Sequence, residues 1–131
     1  MRYVAMLLIG LFIGSLGAVA GMSALKQDTP YNDAVMAFMK HQMGALHGMQ
    51  ESGKCDASEA ARRLSLLNAA ASEIDAAFLP VGDDDKFREL SGELRQGIAA
   101  AQLTQPASCT AVKQALGDVG KHCKACHDVF R

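Results

Sequence analysis

The sequence predicts an all-α fold, an antiparallel up-down-up-down four-helix bundle. Three observations predict it. Apolar residues recur at intervals of three and four along four separate segments, with no period-two strand pattern between them. Half of the chain is hydrophobic while only 5% is aromatic and Trp is absent, a balance led by Ala and Leu that favours helix over sheet. The links between segments are short, so consecutive helices pack side by side and antiparallel. A chain of 131 residues forms one such domain, placed here at 30–131. The formal net charge of −1 leaves no basic footprint for nucleic acid.

Ahead of the bundle stands a targeting segment. Arg2 supplies a minimal positive start, Val4 to Leu16 an apolar core, and Ala18-Val19-Ala20 a cleavage site, so residues 1–20 are expected to be a signal peptide. Met22-Ser23-Ala24 offers a second cleavage site. The uncharged run from Tyr3 to Leu25 is also long enough to span a bilayer, which makes an uncleaved anchor the alternative. Either way the domain is delivered across a membrane, and the expected location is the periplasm.

The first helical segment runs from about Pro30 to Gln50. Thr29-Pro30 is its start signal, and Val35, Met36, Met39, Met43, Leu46 and Met49 are its apolar positions; Gly53 is its C-cap. The second runs from about Ser58 to Phe78. It opens on a capping-box-like pair, Asp56 and Glu59, and carries the stripe Ala60, Leu64, Leu67, Ala71, Ile74 and Phe78. Pro80 and Gly82 break the chain. Asp83 to Asp85 start the third segment, where negative charge suits the helix dipole, and Phe87, Leu90, Leu94, Ile98 and Ala101 line its face. Pro106 ends the next link. The fourth segment runs from about Thr110 to Phe130, with Val112, Leu116, Val119, Cys123, Cys126 and Phe130 on one seam.

That last seam carries the most specific motif of the chain, Cys123-Lys124-Ala125-Cys126-His127. Cys-x-x-Cys-His is the attachment signature of c-type haem: Cys123 and Cys126 form thioethers with the vinyl groups, and His127 is the proximal iron ligand. On a helix the three residues share one face. A thioredoxin-like dithiol would need a βαβ context, which is absent. A zinc site drawn from His122, Cys123, Cys126 and His127 would converge poorly, because neighbouring helical residues point in different directions. One covalent haem c is the expected cofactor, and the expected catalytic machinery is none, since no acid–base pair or nucleophile constellation accompanies the motif.

In the predicted topology the first helix starts where the fourth finishes, so its early turns face His127. Met36 is placed to cover the iron as distal ligand. Met39 lies one turn further on, and Met43 about 10 Å from Met36 along the axis. A Met stripe at this spacing is more often plain core, and an iron with no sixth ligand is the alternative. His47 lies too far along, His41 falls off the Met face, and His122 is expected to face solvent.

These residues resemble the cytochrome c′ family, most closely its low-spin relatives that place Met against the iron. Met36 to Leu46 is similar to the family's first-helix pattern, and Cys123 to Arg131, read CKACHDVFR, to its C-terminal motif; the middle helices match only in pattern. The resemblance implies a four-helix bundle with covalent haem c, His127 proximal and Met36 distal, and a homodimer through the first two helices. The chain departs from the family's pattern at Asn32, where Arg is frequent, and at Phe130-Arg131, where Tyr-Arg is frequent. Arg131 or a lysine would then neutralise the haem propionates.

Two functions follow. A His/Met pair suits electron transfer with a redox partner whose identity the sequence does not name. A five-coordinate iron would instead bind NO or CO. A non-haem, membrane-anchored structural bundle is the third reading. The acidic run Asp83 to Asp85, expected at the haem end, either docks a basic partner or simply complements the helix dipole. Two cysteines remain outside the haem motif. Cys55 and Cys109 fall in links at the same end of the bundle, and an oxidising compartment favours a disulfide between them over two free thiols.

Overall fold

The structure, a computed structural model, describes residues 30–130. The targeting segment and Arg131 lie outside the described residues. Those that are described form an all-helical bundle, and no helix among them is long and apolar enough to cross a membrane.

Helix α1 (Tyr31–Glu51) begins one residue later than Pro-at-first-turn logic expects. Pro30 stands at the N-cap with an extended ψ of 140°, and its carbonyl accepts from the Ala34 N–H at 3.0 Å. At the other end Gly53 adopts φ +68°, the left-handed region glycine tolerates best. The Gly53 N–H donates to the Gln50 carbonyl and the Lys54 N–H to the Met49 carbonyl, the paired bonds of a Schellman cap.

Helix α2 (Ala57–Ser72) is capped by Asp56, whose Oδ1 accepts from the Glu59 N–H at 2.8 Å. The expected reciprocal half of the capping box does not form. The Glu59 carboxylate turns instead to Arg62, at 2.7 and 2.8 Å, and to Arg63 at 2.6 Å. Charge-assisted guanidinium bonds outcompete a single backbone N–H. They hold the Glu59 carboxyl down at about 2.

The second predicted helix is interrupted at Glu73. Ser72 Oγ donates to the Ala69 carbonyl at 2.9 Å and to the Asn68 carbonyl at 3.1 Å, and the Glu73 N–H bonds to Ala70 instead. Serine back-bonding of this kind bends helices. A one-turn helix α3 (Ile74–Ala77) follows at the bend, then a cis Leu79–Pro80 bond and a 3-10 turn at Val81–Asp83. A Cβ on Gly82 would collide with the Asp75 carbonyl, so this close approach requires glycine.

Helix α4 (Asp85–Leu103) is capped by Asp84 Oδ1, which accepts from the Phe87 N–H at 2.9 Å. Helix α5 (Cys109–Phe130) starts one residue before the predicted Thr110. Ser108 starts it: its Oγ accepts from the Ala111 N–H and its carbonyl from the Val112 N–H.

Each long helix packs against two others, in the ring order α1, α2, α4, α5. The seam between them is built from the periodic apolar positions: Leu46, Leu64, Leu67, Ile98, Val112 and Val119 are all at most 2% exposed. Each buried leucine of this kind contributes about 1.5–3 kcal/mol over its exposed state. Gln42 is buried within the apolar stripe of α1, and its Oε1 accepts from Arg63 Nη1 at 3.0 Å. At the end where α1 finishes and α5 begins, Cys55 and Cys109 are joined by a disulfide, with Cα atoms 5.2 Å apart.

Candidate functional site

The opposite end of the bundle holds the site. Uninterrupted helix through Phe130 keeps Cys123, Cys126 and His127 on one face of α5. Both thiols are free and half-buried, and His127 is exposed at the rim. Burial pushes both thiols above their ordinary value; for Cys123 the neighbouring Cys126 adds to the effect. They therefore rest as neutral thiols at neutral pH.

All three open onto a cavity of about 610 Å³, a size within the range of small-molecule and cofactor sites. Across it, α1 presents Met36, Met39 and Met43. Met39 is the most deeply buried of them at 5% exposed, while Met36 and Met43 are partly exposed. The back wall comes from α4 and the α3 bend, through Phe87, Leu94, Ile74 and Phe78. Phe87 stacks edge-on against Phe130 at 5.2 Å between ring centroids and tilts against Phe78 at 5.6 Å. Interlocked rings of this kind make a stiff apolar wall.

The polar liners are few. Ser91 in the back wall is 1% exposed, and its hydroxyl donates to Asp75 Oδ1 at 2.5 Å; Arg95 Nη1 donates to the other carboxylate oxygen at 3.0 Å. Asp33 and Lys40, both exposed, stand at the mouth on α1. Gly120 lies one turn before Cys123, and a Cβ there would meet nothing within 4 Å.

These residues fit covalent haem c. Two thiols at the attachment spacing face the cavity, an imidazole follows directly, the walls are apolar, and open space flanks the motif at Gly120. Among the described residues no group of three or more His, Cys, Asp or Glu converges.

The other histidines lie elsewhere. His47 Nδ1 is 3.4 Å from Glu51 Oε1 in an exposed pair, and His41 is exposed outside the cavity. The expectation of a solvent-facing His122 is corrected. Its ring is half-buried over Gly97 of α4, close enough that a Cβ at Gly97 would strike it. Glycine leaves a notch, and the ring fills it. Sequence reasoning missed Gly120, Ser91 and the role of Phe87 as cavity wall. Gly120 was within reach, three residues before Cys123 on the same helical face; Ser91 was hidden as a polar residue inside an apolar stripe.

The chain is similar to known cytochromes in sequence and in fold. The family described as Cytochrome C' matches residues 27–131. Cytochrome c-554 of Cereibacter sphaeroides is 26% identical, across 87% of this chain and 91% of its own length. A cytochrome c′ of Halomonas halodenitrificans is 30% identical, across 77% of this chain and 92% of its own. The crystal structure of cytochrome c′ from Rubrivivax gelatinosus superposes with a TM-score of 0.60 at 22% identity, over 75% of this chain and 89% of that one, a likeness of fold.

Proposed function

Because the chain belongs to the cytochrome c′ family, we propose that this c-type cytochrome is exported to the periplasm and carries electrons, with His127 and Met36 as the residues that would ligate the iron. One observation carries the reading: a row of thioethers on α1 faces the Cys-x-x-Cys-His face of α5 across a single apolar cavity. Export is supported by the leader-like residues 1–20.

Bound haem supplies a one-electron iron couple. The chain supplies the rest. Cys123 and Cys126 would tether it, and the His127 imidazole would supply a nitrogen ligand to its iron. A neutral Met36 thioether, were it to ligate the iron, would favour the reduced state and raise the potential. Phe87, Leu94 and Phe130 keep water from the cavity wall, and the tied-off Ser91 hydroxyl presents no competing ligand there.

The test is the optical spectrum of protein produced with haem-maturation machinery. A low-spin spectrum with split visible bands is expected. A high-spin spectrum that shifts on adding CO or NO would favour gas binding, and the absence of a Soret band would end the haem reading.

A further inference from the structure

If haem binds here, as the haem reading above has it, its carboxylates need a neutralising group. An anion entering an apolar site needs a cation or water beside it. The charged and titratable liners of the cavity are Asp33, Lys40, Cys123, Cys126 and His127. The cysteines are taken up by thioethers and His127 by iron. Of the remaining two, Asp33 repels a carboxylate and Lys40 attracts one.

Among the described residues Lys40, Lys54 and Lys113 make no ion pair, and of these three Lys40 alone lines the cavity; the other cations are engaged. Arg88 pairs with Asp83 and Asp85, Lys86 with Glu89, Arg95 with Asp75, and Lys124 with Asp128. Lys40 lies seven positions after Asp33, about 10 Å along the helix axis, so they do not neutralise each other. Lys40 is one turn beyond Met36 at i+4, and its long stem can follow the Met36–Met43 surface while the ammonium stays at the wet mouth. We infer that Lys40 is the propionate-pairing cation of this protein, a positioning residue that orients the acidic edge of the macrocycle toward the α1 side of the cavity mouth and raises the potential of the iron.

The experiment uses the holoprotein. Covalent haem is first verified by intact mass, and unaltered ligation by the optical spectrum. Midpoint potentials are then measured for wild type, Lys40→Ala, Lys40→Glu, Lys40→Arg and Arg131→Ala, with redox-difference infrared spectra of the carboxylate bands. The potential falls in Lys40→Ala, falls further in Lys40→Glu, and returns toward wild type in Lys40→Arg. The differences shrink at high salt, because the pair is exposed, and the propionate bands shift with the same variants. Unchanged potential and bands in Lys40→Ala and Lys40→Glu overturn the assignment while leaving the haem reading intact, as does a shift seen with Arg131→Ala alone. Wild-type protein without covalent haem overturns both.

Discussion

At the scale of single residues, the consequential choice lies among three methionines that share one cavity. Met36→Leu is expected to turn a low-spin spectrum high-spin and to open a site for CO, because a hydrocarbon of similar volume removes the sulfur donor alone. The check is the visible spectrum with and without CO. If Met39→Leu makes this change and Met36→Leu does not, the ligand is the more buried thioether one turn on. His127→Ala should abolish the native iron environment while leaving the thioethers, since the imidazole is a ligand and the cysteines are the tether; mass and spectrum read the two separately.

At the scale of elements, caps and local ion pairs decide where helices begin and end. Asp56→Ala removes the acceptor of the Glu59 N–H and should lower the midpoint of chemical denaturation. Glu59 itself gives a pH signature. Its carboxyl is held at about 2 in the fold against an ordinary 4.5, by hydrogen bonds from Arg62 and then Arg63. A depressed acid stabilises the fold above its unfolded value, and that contribution disappears as pH falls toward the folded value. Wild type should therefore exceed Glu59→Gln in stability at neutral pH by a small margin, as suits an exposed pair. The margin should close between about 4.5 and about 2. Urea titrations across that range measure it, and a gap independent of pH would contradict the assignment.

At the scale of the whole molecule, the two ends of the bundle are separate in structure and should be separable by experiment. The Cys55–Cys109 disulfide spans 54 residues at the end away from the cavity. Replacing both cysteines by serine should lower stability by about 4 kcal/mol in the chain-entropy model, with the haem spectrum unchanged. Denaturation midpoints and spectra of the same sample test both halves of that statement. A loss of the native spectrum under folding conditions would mean that the far end holds the cavity in shape.

The sequence by itself determined the helical class, the attachment motif and the pair of cysteines left over. Helical periodicity and the i, i+3, i+4 spacing of Cys123, Cys126 and His127 are local properties of one chain segment, written in the order of residues. Most helix ends were legible for the same reason: Asp56, Gly53 and the Asp83–Asp85 run act on their own neighbours. Only the tertiary structure decided what surrounds the motif. Whether Lys40 and Asp33 stand at a cavity mouth depends on how α1 is rotated against α5. Whether Ser91 is buried depends on Asp75, which reaches it only because the chain bends at Glu73. His122 turned inward because Gly97 on another helix left room for its ring. Each of these is a contact between segments far apart in the chain, and the energy that selects it is packing and pairing across helices, which no local pattern records.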